Sequence, residues 1–174
     1  MLSEQARTLK GLNIAIQMEL DGKEFYAKAA RESSNEPGRN LMAALSVEED
    51  IHRQVFIRIY EAIKEKKGWP EVDFHPDGGR GLRTVFTRAL EDLSSEKKAE
   101  VSELDTVETA RKMETRTFDY YQSQLLKATD PAEKEFYEKL AGQEQEHNLV
   151  LADYQEYLRN PAGWFVKKEH PHFD

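Results

Sequence analysis

The 174 residues contain no cysteine, which excludes disulfides, iron–sulfur clusters, thiolate zinc sites and cysteine nucleophiles within them. Any metal must therefore be held by oxygen and nitrogen. Glycine and proline are sparse, nine and six, and fall mostly at breaks between long stretches of 3.6-residue periodicity, so an all-α fold is expected. There is no block of Lys and Arg and the net charge is −8, so neither nucleic acid nor a membrane surface is expected as a partner. No apolar run approaches the ~20 residues of a membrane span, and the polar start MLSEQARTLKGLNIAIQ has no apolar signal region. A single cytoplasmic domain over 1–174 is the expectation.

What the chain does have is an internal duplication. Glu19, Tyr26 and Glu49-x-x-His52 return 95 positions later as Glu114, Tyr121 and Glu144-x-x-His147, with Met18 matching Met113. The two glutamates of each half are 30 residues apart both times. In each half they fall on the apolar stripes of two successive helices. Leu12, Ile16, Glu19, Tyr26 and Ala30 share one face, and Leu41, Leu45, Glu49, His52, Phe56 and Ile63 the next. Val107, Ala110, Glu114, Phe118, Tyr121 and Leu125, then Phe136, Leu140, Glu144, His147, Leu151, Tyr154 and Leu158, repeat the pattern.

The breaks set the helices. Ser33-Ser34-Asn35-Glu36-Pro37 separates a helix over about 4–33 from one over about 37–67, which Gly68 and Pro70 stop. Asp130 as N-cap, Pro131 at the first helical position and Glu133 in a capping box separate a third helix, ending near 128, from a fourth over about 131–159. The third is predicted to begin near Asp105, because Asp105-Thr106-Val107-Glu108 has capping-box form. Residues 68–104 form a crossover that opens with a Gly/Pro-rich loop and carries a short helix with Val85, Phe86, Ala89, Leu90 and Leu93 on one side. Residues 160–174 form a tail too short for another long helix, which Trp164 and Phe165 could dock. Each chain reversal brings the glutamates of a hairpin to one height, about 20 Å from the turn at ~1.5 Å per residue.

Two such hairpins folded together bring four carboxylates and two imidazoles to one level of a four-helix core. One Glu-x-x-His is weak evidence in a chain this rich in Glu, and a helical Glu is usually a solvated charge. Two copies, each paired with a Glu on the preceding helix, are the pattern of di-iron and di-manganese carboxylate bundles. Four buried carboxylates without a cation would each carry a desolvation penalty of several kcal/mol or bind protons instead, whereas two divalent ions make the set neutral. The candidate metal ligands are Glu19, Glu49, His52, Glu114, Glu144 and His147. Tyr26 and Tyr121, about 10 Å along the same faces, are candidates to hydrogen-bond a ligating carboxylate from the other helix pair. Arg111 could pair with a carboxylate at the rim, and His75, His170 and His172 are read as surface residues.

Glu19 with Tyr26, Glu49-Asp50-Ile51-His52, Glu114 with Tyr121, and Glu144-Gln145-Glu146-His147 resemble, in order, the motifs of the rubrerythrin family, over roughly residues 10–158. The resemblance implies a ferritin-like four-helix bundle with one long crossover between its second and third long helices. It also implies a di-iron centre that reduces hydrogen peroxide or oxygen, commonly in a homodimer. By the same resemblance Glu49 and Glu144 would be bridging carboxylates, Glu19 and Glu114 terminal ones, and His52 and His147 the nitrogen ligands. Rubrerythrins proper carry a Cys₄ rubredoxin-like domain; with no cysteine here, an external electron donor such as a rubredoxin-like protein is implied. The family's additional Glu near the third-helix ligand has no counterpart, since Arg111 and Thr117 flank Glu114 one turn away. Ferritin-like iron storage remains an alternative, although Asp50 stands where a bacterioferritin would need a haem-binding methionine. So does a non-catalytic bundle holding manganese or zinc, because carboxylate and imidazole suit several ions.

Overall fold

A computed structural model describes residues 2–91 and 101–166. It is all-helical among these residues: α1 (Glu4–Glu32), α2 (Glu36–Lys64), α3 (Arg80–Glu91), α4 (Val101–Lys127), α5 (Pro131–Arg159) and the short α6 (Pro161–Val166). Leu93, His170, His172 and the Phe165 side chain lie outside what is described.

Local chemistry sets most of the ends. Ser3 caps α1 by accepting from the Ala6 N–H, Asn35 caps α2 by accepting from the Gly38 N–H at 2.8 Å, and Asp130 caps α5 by accepting from the Ala132 N–H at 2.8 Å with Pro131 behind it. α2 stops at Lys64, short of the expected 67. Lys66 takes a left-handed φ of 60°, and the Lys66 and Lys67 N–H groups close on the Ile63 and Ala62 carbonyls at 3.0 Å. That is a Schellman closure on a non-glycine residue two positions before Gly68.

The start of α4 differs from the sequence reading. The chain is already helical at Val101, so Asp105 is an interior residue and caps nothing. The extra turn is held by tertiary contacts. Glu103, buried, accepts from the Ser34 N–H and hydroxyl and from the Tyr154 hydroxyl, and Leu104 packs on the core. In α3 the buried face is Leu82, Phe86, Ala89 and Leu90, with Val85 only half-buried. Trp164 of α6 does dock on the bundle, edge-on to Phe86 and Tyr157.

The long helices pair as two hairpins, α1 with α2 and α4 with α5. Reciprocal contacts fix how the hairpins meet: Tyr26 of α1 reaches Glu114 of α4, and Tyr121 of α4 reaches Glu19 of α1. Rising numbers on one helix meet falling numbers on the other, so α1 and α4 are antiparallel. α2 ends where α1 begins, as the 2.9 Å bond from Gln5 Nε2 to the Ile63 carbonyl shows, while α4 begins where α1 ends, beside Ser34. The connection between α2 and α4 therefore has to travel the length of a 29-residue helix, about 43 Å at ~1.5 Å per residue. This is the long crossover of a ferritin-like bundle. No helix among the described residues is long and apolar enough to cross a membrane.

The apolar core is in two parts. One cluster includes Leu41, Leu45, Val107, Ala110, Leu151 and Tyr154; the other includes Leu12, Phe56, Ile59, Tyr121, Phe136 and Leu140. On every long helix the Glu or Glu/His positions lie between the residues given to one cluster and those given to the other. A polar layer is thus sealed between two apolar plugs.

Candidate metal centre

Each of the six residues of that layer is at most 3% exposed. Glu19 and Glu114 come from the middles of α1 and α4, and the two Glu-x-x-His pairs from α2 and α5, where a three-residue step turns both side chains to one side of the helix. They form two groups, Glu19 with Glu49, His52 and Glu144, and Glu49 with Glu114, Glu144 and His147; within each group one ligand atom per residue lies within 4.8 Å of all the others. Glu49 and Glu144 belong to both.

One donor atom of every residue is buried without a hydrogen bond among the described residues: Glu19 Oε2, Glu49 Oε1, Glu114 Oε2, Glu144 Oε1, His52 Nδ1 and His147 Nδ1. Buried polar atoms are normally satisfied, so six orphans converging on one layer require an explanation. Their spacing offers one. His52 Nδ1 is 3.3 Å from both Glu19 Oε2 and Glu144 Oε1, and His147 Nδ1 is 3.1 Å from Glu49 Oε1 and 3.4 Å from Glu114 Oε1. Neighbouring ligands at about 2.0–2.2 Å from one ion stand roughly 3.0–3.5 Å apart. The two imidazole rings are parallel within 6°, with centroids 5.8 Å apart. An all-oxygen-and-nitrogen set of this form fits a pair of divalent cations.

The electrostatics agree. Burial, followed by repulsion from the other carboxylates, pushes Glu49 and Glu144 well above the ordinary carboxylate range. For Glu114 burial acts upward too, but His147, Glu144 and Tyr26 together outweigh it and hold the group below its ordinary value. Burial acts downward on His147, yet Glu114, Glu48 and Glu49 raise it well above its ordinary value. Without metal, Glu49, Glu144 and His147 are the groups of the layer pushed toward holding protons.

The sequence model of the Rubrerythrin family matches residues 10–155. The chain belongs to the rubrerythrin family. Neither the curated proteins nor the solved structures contain a match to it.

The two tyrosines sit as expected of the repeat. Each donates its hydroxyl hydrogen to the carboxylate on the opposite hairpin, Tyr26 to Glu114 Oε1 and Tyr121 to Glu19 Oε1. One oxygen of each carboxylate is thereby held, while Glu19 Oε2 and Glu114 Oε2 are left buried without a hydrogen bond. Burial and the nearby carboxylates push both phenols well above their usual range, so they remain donors. Gly22, one turn after Glu19, makes room for the layer: a Cβ there would stand 2.7 Å from Glu49 Oε2.

Three site details depart from the sequence reading. Arg111 does not meet a rim carboxylate; it donates to Asn148 Oδ1 at 2.9 Å and Gln155 Oε1 at 2.6 Å. Glu48 was missed. Its Oε2 lies 2.7 Å from His147 Nε2 and accepts from Gln143 Nε2 at 2.8 Å. Burial works against its ionisation, but the bonds to His147 and Gln143 outweigh that and lower it. Phe74 of the crossover was missed as well; its ring stands edge-on to His52. His75 is exposed and pairs with Asp73 at 3.0 Å.

Proposed function

We propose that the chain is a non-haem di-iron oxidoreductase that reduces hydrogen peroxide, or oxygen, with electrons delivered from outside these residues. The observation that carries this is the set of six orphaned donor atoms in two groups sharing Glu49 and Glu144. Glu19, Glu49, His52 and Glu144 would hold one ion, and Glu49, Glu114, Glu144 and His147 the other. Iron bound there would supply the two electrons that cleave an O–O bond.

The protein's own share is to hold and insulate. Four carboxylates would offset the charge of two divalent ions, and the imidazoles would serve as neutral ligands. Tyr26 and Tyr121 fix the carboxylates of the opposite hairpin and keep their phenolic protons inside the layer. The plugs headed by Leu45 and Val107 on one side and Phe56 and Leu140 on the other bury the layer along the bundle axis, which strengthens each charge interaction within. With no cysteine among the 174 residues, electrons would come from a separate donor such as a rubredoxin-like protein, and a homodimer is the assembly that family membership suggests.

The test is stopped flow on anaerobically reduced, iron-loaded protein mixed with either oxidant. Faster oxidation by peroxide than by oxygen is expected, with about two irons per chain by metal analysis. Oxidation by peroxide no faster than by oxygen removes the peroxidase assignment, and a chain isolated from iron-replete, anaerobic culture with zinc or manganese instead removes iron. Size-exclusion chromatography should give a dimer; a 24-subunit cage would favour storage.

A further inference from the structure

The duplication makes the two proposed metal positions formally equivalent, since each ligand and each tyrosine has its mate 95 residues on. Position 48 breaks the rule. Its mate is position 143, and the pair is Glu48 and Gln143. Only Glu48 meets an imidazole: its Oε2 takes the 2.7 Å contact with His147 Nε2 and also accepts from the Gln143 amide at 2.8 Å. An ionised carboxylate can only accept, so Nε2 carries a proton, which leaves Nδ1 of His147 as the nitrogen available to a metal ion.

His52 has no such partner. Gln143, the residue that the repeat would assign to it, is turned toward Glu48, and its own Oε1 is buried with no hydrogen bond. Among the described residues nothing hydrogen-bonds His52 Nε2. The His52 ring stands perpendicular to that of Phe74 and lines a cavity of about 250 Å³ to which Glu48, Asp73, His75, Asp77 and Gln143 also contribute. One histidine is thus oriented by a carboxylate on its far nitrogen, and the other has no hydrogen-bond partner there among the described residues.

We infer that Glu48 is a positioning residue that makes the two metal positions unequal, so that the Glu49–Glu114–Glu144–His147 position fills first and binds more tightly than the Glu19–Glu49–His52–Glu144 position. A carboxylate on the far nitrogen of a ligating histidine fixes its orientation and makes it a better donor, and loss of such a partner typically costs 10- to 100-fold in metal affinity. The inference rests on the metal-pair reading above.

The experiment is anaerobic titration of the metal-free chain with Co(II), followed by visible absorption and calorimetry. Wild type should bind two equivalents in two steps separated by about tenfold or more. His147→Ala should remove the tight step and His52→Ala the weak one. Glu48→Gln, nearly isosteric, should weaken the tight step by about tenfold or more, shift its absorption band and leave the weak step unmoved. Two equal steps in wild type, loss of the tight step in His52→Ala, or equal weakening of both steps by Glu48→Gln would overturn the inference while leaving the metal pair intact. Failure of wild type to bind Co(II) at all would overturn the metal-pair reading itself.

Discussion

Gly22→Ala should separate the stability of the fold from the capacity of the site, and in opposite directions. Gly22 lies inside α1, where alanine ordinarily stabilises a helix by about 0.8–1.0 kcal/mol. In a domain of this size that corresponds to a rise in Tm of about 2–4 °C. The added methyl would nevertheless lie 2.7 Å from Glu49 Oε2 and 3.4 Å from its Cδ. Carbon contacts settle nearer 3.5 Å, so the carboxylate must retreat by roughly 0.5 Å or more. A carboxylate at the end of a flexible chain can do so at little cost to the metal-free fold. Metal coordination tolerates only about 0.2 Å, and Glu49 belongs to both groups of ligands. The expected result is a metal-free Tm unchanged or a few degrees higher, with affinity for both ions at least tenfold weaker, about 1.4 kcal/mol each. Scanning calorimetry of the metal-free chain and equilibrium dialysis against Co(II) measure the two halves. Wild-type affinity in Gly22→Ala would refute the placement of Glu49 at the centre of the layer. Loss of several kcal/mol from the metal-free fold would show that Gly22 serves helix packing instead.

Tyr121→Phe removes the donor from Glu19 Oε1 in a fully buried site, and a lost hydrogen bond to a charged group costs about 1.5–3 kcal/mol. Urea unfolding of metal-loaded Tyr121→Phe, and of Tyr26→Phe by the repeat, should show losses of that size; a change under about 0.5 kcal/mol in both would mean the phenols are packing groups only. The metal-free chain should grow less stable as pH rises from 5 to 8. Glu49 and Glu144 lie above their ordinary 4.5 and His147 above its ordinary 6.5, so the folded state keeps protons that the unfolded chain releases. Each retained proton contributes a slope of about 1.4 kcal/mol per pH unit. The stability from His147 is complete below 6.5 and lost as pH rises through its raised folded value. Glu48 and Glu114, lowered from 4.5, contribute with the opposite sign and act only below that value. Metal loading replaces the protons, so the loaded chain should instead weaken as pH falls. Denaturation at pH 5.5 and 7.5 with and without metal checks both slopes, and a metal-free chain more stable at 7.5 refutes the charge reading.

What was legible in the sequence is what short-range chemistry or the duplication encodes. Asp130-Pro131 caps and starts α5 by contacts within three residues, and the Glu and Glu-x-x-His spacings are fixed by helix geometry, so both can be read without tertiary knowledge. The start of α4 cannot, because Asp105-Thr106-Val107-Glu108 has the local form of a cap while Glu103, bonded to Ser34 and Tyr154 from distant segments, holds a further turn. The end of α2 was misplaced for a related reason: Lys66 adopts the left-handed turn that Gly68 advertises. Glu48 was hidden because its partner is 99 residues away and its mate in the repeat is a different residue.

The same distinction runs through the whole molecule. The Tyr26–Glu114 and Tyr121–Glu19 bonds are images of each other, as are the approaches of His147 to Glu49 and His52 to Glu144. Such reciprocity is possible only if the two hairpins are related by a two-fold axis through the layer. A two-fold of this kind makes α1 and α4 antiparallel, which separates the end of α2 from the start of α4 by the full height of the bundle. The 36 residues between Lys64 and Val101 are therefore a consequence of placing two equal half-sites face to face. Having no counterpart in the repeat, that connection is also where the halves become unequal: its Phe74 ring stands against His52, the histidine to which Glu48 does not turn.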